Sequence, residues 1–325
     1  EKVPHTGLIF ARLWQEAGLP DGVFNIVQGD RETVDAMLAH PGIGAISFVG
    51  STAVGEHVYQ RGTSFNKRVA AFTGGKNHMV VMPDADLESA ATAFVSAGYG
   101  SASQRCMAVS LLLPVGKTTA ERLIEKIVPK VRALKLGTYD DPTADFGAVI
   151  SSQSKVAVEA AIADCLEAGA QILIDGRGAS VAGHPEGFYV GPTLFDHVTT
   201  NMAFYREEVF GPARGIVRAS SLDDAIAITN AHAYGNGSVI FTRDGKSAHR
   251  FVAEVDSGMI GVNVPVPLPV GYFNFGGLRR SKFGDSHLFG PDAARFYTRV
   301  KTVSQRWPEP DPMAVPVSLA FDASA

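Results

Sequence analysis

Cysteine is scarce in this chain: Cys106 and Cys165 are the only two, too few for a disulfide framework. Tryptophan is as rare, at Trp14 and Trp307. Long hydrophobic runs are missing. Met79–Met82 and Val109–Val115 are typical, and a bilayer span needs about 20 apolar residues. Neither sign of charge dominates, because 29 basic and 33 acidic residues leave a net charge of −4. With no basic arm or acidic tail, the electrostatic footprint of a nucleic-acid binder is missing. The histidines are scattered without a His-Glu-x-x-His motif, and there is no Cys-x-x-Cys, so no metal site is expected. What is present is apolar side chain, 46% of 325 residues. That is ample for a buried core, rules out wholesale disorder, and leaves room for about two domains. The expectation is a soluble α/β protein of a reducing compartment.

The chain opens on Glu1 rather than Met and runs straight into helix-like sequence, without the basic start and apolar stretch of a signal peptide. Either a processed N-terminus or the C-terminal part of a longer chain is expected. Leu8, Ile9, Leu13 and Trp14 recur at helical spacing until Gly18 and Pro20. Val23–Val27 reads as a strand, 31–39 as a helix, and 45–49 as a strand. Gly50-Ser51-Thr52 then opens a helix, and strands follow at 69–72 and 79–82. Strands alternating with helices predict right-handed crossovers and a parallel sheet. Further on, 84–101 reads as a long helix, 109–114 as a strand, 118–134 as a helix, 154–168 as a helix and 222–231 as a helix. Strands are predicted near 172–174, 216–217, 239–241 and 259–264, and the segments 188–190 and 193–195 flank Gly191-Pro192. Residues 296–303 alternate polar and apolar side chains, as an exposed or partner-pairing strand would. The proline-rich tail after Trp307 reads as loosely ordered.

Taken singly, the motifs leave alternatives open. Cys106 follows a small-residue loop, Gly100 to Arg105. A nucleophilic thiolate needs access and local positive potential, which Arg105 would help supply; a lone cysteine also serves as a small buried hydrophobe. The turn from Phe48 to Gly55 follows a strand and opens a helix, a geometry that suits a phosphate or merely a serine cap. The segment from Glu207 to Pro212 by itself reads as a charged turn. Ser152-Gln153-Ser154-Lys155 fits a Ser-x-x-Lys pattern, but its serines suit the start of a helix better. Cys165 lies among Ala161, Ile162 and Leu166 and reads as core.

Together the motifs say more. Gly50-Ser51-Thr52-Ala53-Val54-Gly55, Gly74-Gly75-Lys76-Asn77, Gln104-Arg105-Cys106, Glu207 to Pro212 and Asn274-Phe275-Gly276-Gly277 stand in the order and spacing of the aldehyde dehydrogenase superfamily. The resemblance runs from Glu1 to about Trp307. Lys76 to Asp86, Arg105 to Ala108, Gly261 to Pro265 and Phe296-Tyr297-Thr298 resemble its CoA-acylating branch, the methylmalonate-semialdehyde dehydrogenases. The resemblance implies an α/β fold with a partial Rossmann-type, parallel-sheet NAD-binding domain over residues 1–83. A catalytic α/β domain over 84–285, a C-terminal return and oligomerisation arm over 286–307, and a loose tail over 308–325 complete the expected division.

The resemblance also implies a chemistry. Cys106 attacks the aldehyde and carries a thioester, and its backbone N–H forms half of an oxyanion hole. Arg105 recognises the substrate carboxylate, as a guanidinium can. Gly50 and Ser51 meet the NAD pyrophosphate, Glu1 the adenosine ribose, and Glu208 and Phe210 the nicotinamide side. NAD is the implied cofactor and coenzyme A the acyl acceptor. Malonate or methylmalonate semialdehyde would leave as acetyl-CoA or propionyl-CoA with loss of carbon dioxide. A homodimer or homotetramer is implied, in the cytoplasm or, for a eukaryotic chain, the mitochondrial matrix; no membrane or nucleic-acid partner is expected. Hydrolytic members carry a water-activating Glu two residues before Gly74. Here Phe72 stands there, and a phenyl ring is no general base. The family's upstream aromatic-Asn-x-Pro motif, ribose-binding Lys and second substrate-binding Arg are not in this sequence. The expectation is therefore of a piece lacking about the first third of a complete enzyme, folding poorly and nearly inactive by itself. A hydrolytic aldehyde dehydrogenase and an inactive NAD-binding or oligomerisation remnant stay open as alternatives.

Overall fold

The computed structural model describes residues 1–305 and residue 307. The expected loose tail at 308–325 lies outside the described residues. Helix α1 (Pro4–Glu16) starts with Pro4 in its first turn, where the missing N–H costs no intrahelical bond. Its apolar side chains, among them Leu13 and Trp14, remain exposed. Helix α2 (Arg31–Ala39) is capped by Asp30, which accepts from the Glu32 N–H. Strand β1 (Ala45–Val49), helix α3 (Thr52–Ser64) and strand β2 (Arg68–Phe72) form a crossover unit, with β1 and β2 parallel from Ala45 opposite Arg68 to Val49 opposite Phe72.

Strand β3 (Asn77–Val81) leads to helix α4 (Leu87–Tyr99). The Asp86 carboxylate accepts from the Glu88 and Ser89 N–H groups at the start of α4, satisfying two of the donors a helix leaves unpaired. Then come β4 (Val109–Pro114), α5 (Lys117–Arg132), α6 (Ser152–Glu167), β5 (Gln171–Ile174), β6 (Thr193–Asp196), α7 (Ala203–Arg206) and β7 (Ala213–Ile216). The chain continues through α8 (Leu222–Ala231), β8 (Tyr234–Gly235), β9 (Gly237–Phe241), α9 (Gly245–Glu254) and β10 (Met259–Val262). It ends in β11 (Leu278–Arg279), β12 (Lys282–Phe283) and α10 (Pro291–Tyr297).

The main sheet has seven strands in the order β10-β9-β3-β4-β7-β6-β5. Every neighbouring pair is parallel except β5 with β6. Leu111 and Leu113 of β4 pack into one cluster with Ile162 and Ile226, while Leu112 packs into another with Phe94 and Leu123. The sheet is thus covered on both faces, which explains why its central strands read as continuous apolar runs. A second sheet has the order β1-β2-β12, with β12 antiparallel to β2. This brings the C-terminal stretch back against the first crossover unit.

Three sequence expectations are corrected. Residues 23–27 form no strand: nothing pairs with them among the described residues, and Val23, Phe24 and Val27 are exposed. β-branched residues alone do not make a strand without a ladder to join. Residues 296–303 are not a strand either. Phe296 and Tyr297 end α10, and the following residues are irregular, with Val300 exposed. The helix expected to reach residue 101 stops at Tyr99, because the next turn is left-handed. Among the described residues no helix is long and apolar enough to cross a membrane.

Candidate active site

The segment carrying Cys106 is bent into place. After α4, Ser101, Ala102 and Ser103 all take positive φ, at 56°, 51° and 60°. Left-handed backbone costs an L-residue roughly 1–2 kcal/mol, so such a run persists only where its surroundings hold it. Here they do. Ala102 is buried in the core, and the Ser103 hydroxyl donates to the Gly98 carbonyl. The buried Arg214 donates to the same carbonyl at 2.7 Å and to the Gly211 carbonyl at 3.0 Å. Gln104 ties the loop outward, accepting from the Ile150 N–H at 3.0 Å.

Cys106 itself is exposed. Desolvation by its surroundings pushes the thiol up, the N–H groups of Met107 and Cys106 pull it down, and the Glu208 carboxylate pushes it up. The expected help from Arg105 does not materialise. Arg105 Nε donates to Ser101 Oγ at 3.0 Å, and the guanidinium lies over Gly100 in a cleft of about 610 Å³ beside Tyr99, Lys130 and Asp145. Arg105 forms no ion pair among the described residues. Cys165 is 1% exposed, and burial pushes its thiol up to about 12. It is core, as the sequence suggested.

Behind Cys106 lie two buried asparagines. Asn77 Nδ2 donates to the Cys106 carbonyl at 2.9 Å and to that of Ala108 at 2.8 Å. Asn236 Nδ2 donates to the Cys106 carbonyl at 2.8 Å. Phe72 is buried in one cluster with Met107 and Phe275, with its ring 6.4 Å from that of Phe275. Its position two residues before Gly74 is therefore an apolar plug beside the Cys106 loop.

The Gly74-Gly75 turn joins this centre to the first crossover unit. Gly75 N–H donates to Glu208 Oε1 at 2.9 Å, Gly74 N–H to Thr52 Oγ1 at 3.2 Å, and Thr52 Oγ1 to the Tyr234 hydroxyl at 3.1 Å. A Cβ on Gly74 would stand 2.7 Å from Thr52 Oγ1 and 2.9 Å from Glu208 Oε2, so only glycine admits both. Burial pushes the Glu208 carboxyl up. Lys76 is buried, donates to the Glu207 carbonyl at 2.7 Å and lies 4.6 Å from the centre of the Phe204 ring. Desolvation, aided by Arg214, brings its ammonium down to about 7. Phe210, two residues after Glu208, is exposed.

Glu1 lines a cavity of about 490 Å³ together with Gly29, Val34, Ala53, Val54 and His57. Asp30, Arg31 and Asp35 line it too, so Val34, Ala53 and Val54 offer an apolar surface beside several charged groups, and no metal-binding cluster exists among the described residues. Ser51 occupies the cap position of α3, yet its side chain makes no cap bond. Gly50 has a packing reason besides any ligand, since a Cβ there would lie 2.4 Å from the Phe48 ring. The predicted residues thus fall into three places. Cys106 and Glu208 flank the Gly74-Gly75 turn, Glu1 lies by the start of α3 with Gly50 and Ser51 preceding that helix, and Arg105 turns into its own cleft. Sequence reasoning gave no role to Asn77, Asn236, Thr52 or Tyr234. Asn77 stood inside a recognised motif, whereas Asn236-Gly237 carries only a turn signal.

Residues 1–303 match the aldehyde dehydrogenase family. The chain is 50% identical over 309 residues to the malonate-semialdehyde dehydrogenase of Pseudomonas aeruginosa, covering 95% of this chain and 62% of that protein. It is 43% identical to the bovine mitochondrial methylmalonate-semialdehyde/malonate-semialdehyde dehydrogenase [acylating], covering 96% of this chain and 58% of that one. Among solved structures, the NAD complex of a Sinorhizobium meliloti 1021 protein superposes with a TM-score of 0.93 at 46% identity, covering 94% of this chain and 62% of that one. The chain therefore spans about three-fifths of the length of these relatives.

Proposed function

Because the chain belongs to the aldehyde dehydrogenase family, we propose that it carries the nucleophile and much of the cofactor site of an NAD-dependent, CoA-acylating malonate- or methylmalonate-semialdehyde dehydrogenase. The observation that carries the acylating reading is Phe72. An apolar ring packed with Met107 stands where a hydrolytic enzyme needs a carboxylate to activate water. The acylating activity in the bovine relative's name points the same way.

In this reading the Cys106 thiolate adds to the aldehyde carbon, and the Cys106 N–H donates to the resulting oxyanion. Bound NAD supplies the hydride acceptor. Cys106 then holds the acyl group as a thioester, the substrate carboxylate leaves as carbon dioxide, and CoA, its thiol proton lost to solvent, takes the acyl group and returns the Cys106 thiolate. Glu1 accepts from ribose hydroxyls, and its negative charge disfavours a 2′-phosphate. Gly50 and Ser51 at the start of α3 meet the pyrophosphate, and Glu208 with Phe210 the nicotinamide side. Arg105 is the carboxylate-recognising group: among the described residues its side chain bonds only the neutral Ser101 hydroxyl, and in this reading the guanidinium turns out of its cleft toward Cys106 to meet a carboxylated aldehyde. The division into cofactor unit, catalytic unit and C-terminal return belongs to the same proposal. Pairing of β3 with β4 and β9 favours setting the first boundary at the β2–β3 turn rather than at residue 83. Assembly as a homodimer or homotetramer through residues 286–307 is proposed with it.

The test is to trap the acyl group. With NAD and malonate semialdehyde but no CoA, peptide mass spectrometry is expected to find the acyl mass on Cys106, to lose it on adding CoA, and to find nothing in Cys106→Ser. NADH formation with Cys106 unmodified would overturn the assignment.

A further inference from the structure

The Cys106 carbonyl oxygen accepts from Asn77 Nδ2 at 2.9 Å and Asn236 Nδ2 at 2.8 Å, two side chains only 5% and 6% exposed. The two amides are themselves fixed. Asn77 Oδ1 accepts from the Gly237 N–H at 3.0 Å and lies 3.4 Å from Asn236 Nδ2, and Asn77 Nδ2 also donates to Ala108. Asn77 begins β3 of the main sheet, and Asn236 directly precedes its neighbour β9. Two donors converging on one backbone oxygen of an exposed loop exceed what closing that loop requires.

Peptide geometry gives the pair a purpose. A trans peptide is planar, with its carbonyl and N–H pointing in opposite directions. The carbonyl of Cys106 and the N–H of Met107 belong to one such plane. Drawing the oxygen down between the asparagines turns the Met107 N–H the other way, toward Cys106 Sγ, where it favours the thiolate. The same anchoring fixes Cys106, whose own N–H donates to the oxyanion in the proposed function. We propose that Asn77 and Asn236 are positioning residues that clamp the Cys106–Met107 peptide so that its N–H is aimed at the nucleophilic sulfur. The proposal rests on Cys106 being the nucleophile.

The charged groups around the thiol are Glu208, which opposes its ionisation, Arg105, held by Ser101, and Lys76 at the Gly75 turn, bonded to the Glu207 carbonyl. The clamp adds no charge of its own, so replacing either asparagine with a neutral residue isolates geometry from electrostatics.

The experiment is the pH profile of iodoacetamide alkylation at Cys106, read by peptide mass spectrometry on the unmutated chain and on Asn77→Ser, Asn236→Ser and Asn236→Leu. Leucine keeps the branching of asparagine, with two bulkier methyl groups in place of the amide oxygen and nitrogen, and removes its donors. Each variant is expected to move the midpoint upward and to slow alkylation at pH 7 about three- to tenfold, the equivalent of roughly half to one pH unit, with the thermal transition retained. An unmoved profile in any variant that retains that transition overturns the clamp. A variant without the transition is set aside and the remaining ones decide. If none retains it, the clamp fails as a positioning device, since the asparagines then serve the fold. Preferential alkylation of another site in the unmutated chain would instead overturn Cys106 as nucleophile.

Discussion

Lys76 shows how strongly one residue's burial can be felt. Its ammonium ionises near 10.5 in the unfolded chain, and desolvation brings it to about 7 in the fold. Between those values the unfolded state binds more protons than the folded one. The contribution of Lys76 to stability therefore rises as pH climbs from about 7 toward 10 and is flat below. Comparing unfolding free energies of the chain and Lys76→Met across that range isolates it. The advantage of Lys76→Met is expected to shrink as pH rises, and a constant gap would contradict the buried-amine account. Legibility at this scale was uneven. Cys106 and Glu208 stood out because their motifs are spaced as a family spaces them. Asn236 was invisible because its role depends on β8 and β9 bringing it beneath a loop 130 residues away, which no local pattern encodes. Arg105 was expected to help the thiolate, but adjacency in sequence did not fix where its long side chain turned.

At the scale of elements, α4 governs the site, since its C-terminal end sets the left-handed turn that delivers Cys106. Its start depends on Asp86, whose carboxylate accepts from two N–H groups at 3.1 Å each. Asp86→Ala is expected to cost about 1 kcal/mol of unfolding free energy, measured by urea denaturation. A loss below a few tenths would show that tertiary packing alone fixes the helix start. Elements with their own periodicity and caps, such as α2, β4 and α8, matched their expected ranges almost to the residue. The misses at 23–27 and 296–303 have one cause. Strand formation needs a partner ladder: residues 23–27 find none among the described residues, and 296–303, expected to be exposed or to pair with a partner, have none within the described residues of the single chain. The short β8, β11 and β12 pairs went unseen for the converse reason: their strands are two residues each, too short to show a period.

At the scale of the whole molecule, the Gly74-Gly75 turn joins the β1-β2-β12 sheet to the seven-stranded one. One side of that turn bonds Thr52 at the start of α3, the other the Glu208 carboxylate. The start of α3 and the Glu208 carboxylate are thereby tied to one turn by two backbone N–H groups that donate to side-chain oxygens. In the proposed function Phe72 is what separates CoA from water as acyl acceptor, because a phenyl ring is no general base while Cys106 stays exposed. The measurement that tests this most directly is NADH formation from methylmalonate semialdehyde, followed with and without CoA. An acylating enzyme gives one burst of NADH per Cys106 without CoA and steady turnover once CoA is added. Steady turnover without CoA would contradict the account and place the acyl-enzyme in the hands of water.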